Sequence, residues 1–215
     1  MKFDRTGVKQ LHMETSSVCN AACPMCPREL DPAFNKKGVS LSIEKVKTLF
    51  SEEFISNLDS MFMCGTYGDP AAAPDTIDIF KYFRDVNPTI VLGMHSNASL
   101  RSEKWWFDLG GILSNKADYC YFGIDGLADT NHIYRVNTDF KKIMKNAASF
   151  IKAGGQAHWE FLVFQHNEHQ VEEARKLSKD MGFVKFSEKI SRRVNIPIIK
   201  EKVPHIKAPI GERYQ

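Results

Sequence analysis

The chain has 215 residues, 43% of them hydrophobic and 26% charged, and carries a net charge of +3 at neutral pH. That length can bury one sizeable core, and the composition is neither that of a disordered chain nor that of a strongly cationic nucleic-acid binder. No apolar run approaches the ~20 residues of a membrane span, and the opening MKFDRTGVKQ holds no apolar leader core, so a cytoplasmic location with reduced thiols is expected.

Strand-like and helix-like segments alternate along the chain. Residues 10–15 (QLHMET) read as a strand running into a cysteine-bearing loop, and Ser42 opens a helix with Ile43, Val46, Leu49 and Phe50 on its apolar face. Residues 60–66 (SMFMCGT) read as a second strand. Asp75, with Asp78 three residues on, caps a helix bearing Ile77, Phe80 and Phe83 that stops before Pro88. Residues 89–95 (TIVLGMH) are the third strand, followed by a helix from Ser102 that buries parts of Trp105, Trp106, Leu109 and Leu113. Residues 119–124 (YCYFGI) are the fourth, and their helix runs from about Thr138 through Ile143, Met144, Ala147 and Ile151 to Gly154 and Gly155. Residues 157–164 (AHWEFLVF) are the fifth. A capping box of Asn167 and Gln170 then opens a helix with Val171, Ala174, Leu177 and Met181 on one face, ended by Gly182. Residues 183–186 make a short sixth strand. Six strands alternating with five helices argue for an α/β fold on a parallel sheet, whose closure the periodicity leaves open. In such folds chemistry sits in the loops at the C-terminal strand ends.

The loop after the first strand holds three thiols within eight residues, Cys19-Asn-Ala-Ala-Cys23-Pro-Met-Cys26. Thiolates suit iron-sulfur clusters or zinc, and three of them on a four-iron cluster leave one iron open. Structural zinc needs a fourth ligand, for which His12, Cys64 and Cys120 are the candidates. An odd total of five cysteines argues against a disulfide framework. Cys64 and Cys120, flanked by apolar residues, read as core thiols.

The C-x3-C-x2-C spacing resembles the cluster loop of the radical S-adenosylmethionine (radical SAM) enzymes. The resemblance implies a 4Fe-4S cluster on Cys19, Cys23 and Cys26 and S-adenosylmethionine chelated at the open iron. It further implies an electron donor of flavodoxin or ferredoxin type and a partial (β/α)6 TIM-like barrel of parallel strands over residues 1–190. Gly65-Thr66-Tyr67-Gly68-Asp69-Pro70 is similar to the family's Gly-Gly-Glu-Pro segment, which gives Gly65, Gly68 and Asp69 the cofactor's ammonium. Ser96 and Asn97 take the place of a polar pair that contacts ribose or carboxylate. Asp125-Gly126-Leu127, with Tyr134-Arg135 after it, resembles the SPASM and Twitch branch, in which the arginine pairs with the cofactor carboxylate. A guanidinium can hold a carboxylate by two parallel hydrogen bonds.

The chain departs from that pattern at three places. Met25 stands where an aromatic residue packs near the adenine, and Gly123 stands where the branch has a serine. No cysteine follows Cys120, so cysteine-held auxiliary clusters are absent from the C-terminal part. Residues 191–215 are expected to form an extended basic extension with Pro197, Pro204 and Pro209, either a solvated tail or a docking surface for an acidic partner. Residues 185–215 hold eight Lys or Arg against three Glu. The chain then reads as a minimal core or as the front part of a longer protein.

His95 and Glu160, near strand ends, are candidate substrate contacts. The branch resemblance points to a peptide or protein substrate, and the short length also fits a small-molecule enzyme of the 7-carboxy-7-deazaguanine synthase type. The alternative of another class is a noncatalytic iron-sulfur or zinc module that binds a partner through the basic tail.

Overall fold

The computed structural model describes residues 7–31, 33 and 38–214. Six parallel strands lie in one open sheet in chain order: β1 (Gln10–Met13), β2 (Ser60–Met63), β3 (Val91–Ser96), β4 (Tyr119–Gly123), β5 (Ala157–Val163) and β6 (Lys185–Ile190). Three short helices, α1 (Pro27–Leu30), α2 (Ile43–Leu49) and α3 (Glu52–Ser56), join β1 to β2. The later crossovers carry α4 (Thr76–Val86), α5 (Glu103–Ile112), α6 (Asn131–Tyr134) with α7 (Phe140–Lys152), and α8 (Val171–Met181), and α9 (Pro197–Lys202) follows β6. This is the expected partial (β/α)6 architecture, and its sheet does not close.

Strand periodicity separates two faces. Met61, Met63, Leu92, Met94, Phe122, Trp159 and Phe161 are fully buried beneath Phe80 and Phe83 of α4, Trp106 of α5 and Phe150 of α7. Burying apolar surface is worth roughly 25 cal/mol per Å², and this face holds the larger of the two buried apolar clusters. Intervening residues form the opposite face, where the tilted rings of His95 and Tyr121 lie 4.7 Å apart and Tyr121 meets His158 edge-on at 5.0 Å. The parallel sheet is therefore apolar on one side only, and the polar-aromatic side is left for ligands. At the N-terminal strand ends, buried Asp118 accepts hydrogen bonds from Leu92 N at 2.9 Å and Asn115 N at 3.0 Å, and pairs with Arg84.

Several helices start on side-chain caps: Ser42 accepts from Lys45 N, Ser51 from Phe54 N, Ser102 from Trp105 N and Asp139 from Lys142 N. Each such cap is worth about 1 kcal/mol. Two expected caps do something else. Asp75 sits at the start of α4, yet its carboxylate accepts from Ile43 N, tying α4 to α2. Asn167 opens no capping box: a 3-10 turn, Glu168–Gln170, precedes α8, and Asn167 is buried with its amide donating to Asp125 O and Leu162 O.

The C-terminal segment also departs from expectation. Residues 191–206 do not run extended but form a 3-10 turn (Arg192–Asn195) and α9, burying Val194, Ile199, Val203 and Ile206 against Ala21, Cys23, Met25, Tyr134 and Phe164. The tail is a cover for the cysteine loop. Arg193 Nη1 donates to Met25 O at 3.0 Å and Lys202 Nζ to Leu30 O at 3.4 Å. Among the described residues no helix is long and apolar enough to cross a membrane.

Candidate active site

A cavity of about 310 Å³ lies at the C-terminal ends of the strands. That is the lower end of the range for small-ligand sites. Cys19, Cys23 and Cys26 all line it, and all are free thiols. The loop that carries them is short because Cys26 is itself the N-cap of α1, with Pro27 as its first residue, and Cys26 N donates back to Cys23 O at 2.9 Å. N–H donors already face two of the sulfurs: Ala21 N and Asn97 Nδ2 lie 3.4 and 3.5 Å from Cys19 Sγ, and Arg135 Nη1 lies 3.8 Å from Cys23 Sγ.

Burial, then Asp69, pushes the Cys19 thiol up to about 12, and burial raises Cys23 against the opposing pull of Arg135. At neutral pH both thiols are therefore protonated in the metal-free chain, and a metal must displace those protons to bind.

Asp69 organises one wall. It is buried, and its two oxygens accept from Ala71 N, Ser96 Oγ, Asn97 N and Asn97 Nδ2 at 2.8–3.0 Å. These donors fill its acceptor sites, so what Asp69 offers a cationic ligand is field more than a free lone pair. The same bonds lock Ser96 and Asn97 at the end of β3. Glycine is required before Asp69 by close backbone approach: a Cβ at Gly65 would lie 2.4 Å from Gly68 O, and one at Gly68 would lie 2.4 Å from Ser16 O. The turn is pressed onto the chain entering the cysteine loop, and Asp69 N donates to Val18 O at 2.8 Å.

Arg135 forms the opposite wall. Its Nε donates to Asp125 Oδ2 at 2.6 Å, and Asp125 is fully buried with its other oxygen accepting Leu162 N at 2.7 Å. Asp125 thus stands behind Arg135 and does not itself line the cavity. Gly123 explains how the guanidinium fits: a Cβ there would fall 2.5 Å from Arg135 Nη2. The missing serine and the arginine's pose are one feature.

Of the residues singled out from sequence, Gly65, Gly68, Asp69, Ser96, Asn97, Arg135, His95 and Glu160 line the cavity with the three cysteines. Met25 does not: it is buried in the apolar cluster under the loop. Glu160 pairs with Lys189 of β6, and His95 has its basicity lowered by burial. Cys120 is a core thiol as expected, but Cys64 is not. The β2 alternation that buries Met61 and Met63 turns Phe62 and Cys64 to the other face, and Cys64 lines the cavity.

Reasoning from sequence gave no site role to Arg28, Arg193, Tyr134 or Arg101. The first three line the cavity, and Arg101 clamps the turn after Asp69 by donating to the carbonyls of Ala71, Ala72 and Ala73. Arg28, two residues past the third cysteine, is 8% exposed, and its Nε is buried with no hydrogen-bond partner among the described residues. A buried guanidinium left with an unused donor suits an anionic ligand. The donor set therefore fits a thiolate-held cluster together with a ligand bearing both a carboxylate and a cation: three soft sulfurs, Arg28, Arg135 and Arg193 on the wall, and Asp69 and Glu160 as acids.

Neither a protein-family model nor a curated protein matches the sequence. Solved structures do match. SuiB of Streptococcus suis bound to S-adenosylmethionine superposes with a TM-score of 0.65 at 15% identity, over 92% of this chain and 47% of that one. The anSMEcpe structure with bound AdoMet gives 0.61 at 19%, over 84% and 49%, and methylornithine synthase (PylB) gives 0.60 at 10%, over 85% and 53%. A further SuiB structure, bound to its precursor peptide SuiA, matches with 0.65 at 15%, over 84% and 39%. The chain spans about half the length of the structures it matches. It has the fold of the radical SAM enzymes.

Proposed function

We propose that this chain is the catalytic core of a radical SAM enzyme, with a 4Fe-4S cluster on Cys19, Cys23 and Cys26 and S-adenosylmethionine in the adjoining cavity. The observation that carries the reading is the convergence of three free thiols from one loop with Arg28, Arg135 and Asp69 on a single cavity at the C-terminal strand ends. When bound, the pair supplies reductive cleavage of the cofactor to a 5′-deoxyadenosyl radical that abstracts hydrogen.

The residues of the chain then do the positioning. Arg135, fixed through Nε by Asp125, presents its remaining guanidinium nitrogens toward Cys23 and the cavity, where a carboxylate is held by charge-assisted hydrogen bonds. Asp69 and the Gly65 to Gly68 turn present negative charge and backbone carbonyls to an ammonium. Asn97 and Ala21 donate to the Cys19 sulfur, the kind of contact that tunes a cluster's potential. The tail built on Val194, Ile199 and Val203 keeps water from the far side of the loop. His95, Tyr121 and Glu160 line the remainder of the cavity and are the substrate contacts of this reading.

A peptide substrate is supported by the complex of SuiB with its precursor peptide, and the electron donor would be of flavodoxin or ferredoxin type. The test is anaerobic reconstitution with iron and sulfide, then dithionite and S-adenosylmethionine. Formation of 5′-deoxyadenosine is the expected result. Stoichiometric zinc without sulfide in anaerobically purified protein, and no 5′-deoxyadenosine, would leave a noncatalytic metal module.

A further inference from the structure

β1 and β2 pair in register, His12 opposite Phe62 and Met13 opposite Met63. Continuing that alternation past the strand ends puts His12, Glu14 and Cys64 on the face away from the helices, while Met13 and Met63 are buried in the core. His12 Nε2 lies 3.3 Å from Glu14 Oε1, and the ligand atoms of all three residues lie within 4.8 Å of one another. We propose that His12, Glu14 and Cys64 form a second metal site, separate from the three-cysteine loop, that takes a divalent ion of the zinc class through one nitrogen, one oxygen and one sulfur.

The chemistry of the donors selects the ion. A thiolate and an imidazole exclude calcium and magnesium, which require oxygen ligands, and favour zinc-like ions. A tetrahedral ion with bonds of about 2.0 Å to nitrogen and oxygen and about 2.3 Å to sulfur holds its ligand atoms roughly 3.3–3.5 Å apart. The observed triangle, with no side longer than 4.8 Å, reaches that by contracting by up to about 1.3 Å. Two of the three groups are already oriented. Thr66 N and Tyr67 N donate to Glu14, one to each oxygen, at 3.1 and 3.3 Å, and an ionised carboxylate retains acceptor capacity beyond these two bonds. The His12 ring stacks on Phe62 with centroids 4.7 Å apart and planes 13° from parallel. Such outer contacts fix metal ligands in productive orientations.

The local field also favours a cation. Burial, then Glu14 and more weakly Glu160, raise the Cys64 thiol, and an ion there would offset this negative charge as it displaces the thiol proton. The His12 side chain is 44% exposed, which gives the ion a way in. Three protein ligands leave a fourth position open, the count typical of reactive rather than structural zinc. Through Cys64 that position borders the cavity, where water or a substrate donor atom can occupy it.

The test counts metals. The chain is loaded anaerobically with iron and sulfide, incubated with zinc, desalted, and analysed for both metals. The expected result is about one zinc per chain, reduced roughly tenfold or more in both Cys64→Ser and His12→Ala, with iron unchanged. His12→Ala alters an exposed side chain and keeps the test decisive should Cys64→Ser fail to fold. Cobalt added to the Cys19→Ala/Cys23→Ala/Cys26→Ala variant should give a sulfur-to-cobalt charge-transfer band that Cys64→Ser abolishes. Absence of zinc from the unaltered chain, or zinc retained by either single variant at the level of the unaltered chain, overturns the site. Zinc that follows His12 and Cys64 in protein that takes up no iron keeps this site and removes the cluster reading instead.

Discussion

Gly123 and Arg135 make a prediction in which the sign of one substitution depends on the other residue. A Cβ at position 123 would stand 2.5 Å from Arg135 Nη2 and 3.0 Å from Cζ, against an ordinary contact of about 3.5–4.0 Å. The guanidinium must retreat by about 1 Å, but it is 19% exposed and bound at 2.6 Å to an Asp125 that is 0% exposed. A strained shift costs about 1–3 kcal/mol as overpacking, and a broken pair about 3–5 kcal/mol as an uncompensated buried charge. Gly123→Ala should therefore destabilise by about 2–3 kcal/mol, lowering Tm by about 4–12 °C at this size. In an Arg135→Ala background the obstruction is gone, because the three nearest atoms to that Cβ all belong to Arg135. The same change then stabilises by about 0.4–1 kcal/mol through the reduced freedom of the unfolded chain. Urea unfolding of the four proteins in the cycle is the assay. Equal costs for Gly123→Ala in both backgrounds, or a cost below about 0.5 kcal/mol in the unaltered chain, would refute the coupling.

Three further outcomes are expected. Alanine at Cys19, Cys23 or Cys26 should remove the absorbance of a cluster present at about four irons and four sulfides per chain, and a variant that keeps full iron and colour would exclude that cysteine as a ligand. In the metal-free chain Cys19 is raised from 9.0 to about 12, so the unfolded thiol ionises first. Stability from this group is complete below about pH 9 and falls as pH rises toward the folded value, which urea midpoints at pH 8 and 10.5 would register; a midpoint that rises over that interval would contradict it. Arg28→Gln removes a buried cation beside Cys19 and should shift the cluster's potential to more negative values in a redox titration, whereas an unchanged or more positive potential would take Arg28 out of the cluster's surroundings.

The cysteine loop was legible because its chemistry is local: three thiols at fixed spacing need no tertiary context to be read as ligands. The strands were legible from their alternation, but the phase of that alternation was not. Cys64 follows Met61, Phe62 and Met63, apolar on both faces, and only the packing of α4 decides that the methionines face the core. Local capping rules located the turns near Asp75 and Asn167 and mistook their partners, because Ile43 and Asp125 come from distant sequence and compete for the same side chains. Asp125 and Arg135 each read as cofactor ligands. Their bond to each other arises only when α6 folds the chain back. The tail was opaque for a related reason: Ile199, Val203 and Ile206 keep a helical spacing, but Pro197, Pro204 and Pro209 interrupt it, and the surface the tail covers is assembled from distant residues, Ala21, Cys23 and Met25 with Tyr134 and Phe164.

That tail has a consequence for the order of events as the chain is made. Its anchors, Arg193 to Met25 and Lys202 to Leu30, join residues 168 and 172 positions apart. At about 5–20 residues per second, the cysteine loop leaves the ribosome roughly 8–34 s before the segment that covers it. Throughout that interval Cys23 and Met25 have no α9 against them, and a metal delivered to the nascent chain meets an uncovered loop. Once the tail has docked, that side of the loop is closed and the thiols are reached from the cavity they line. The loop is thus open on two sides while this stretch of the chain is made, and on one side, through the cavity, once the tail is in place.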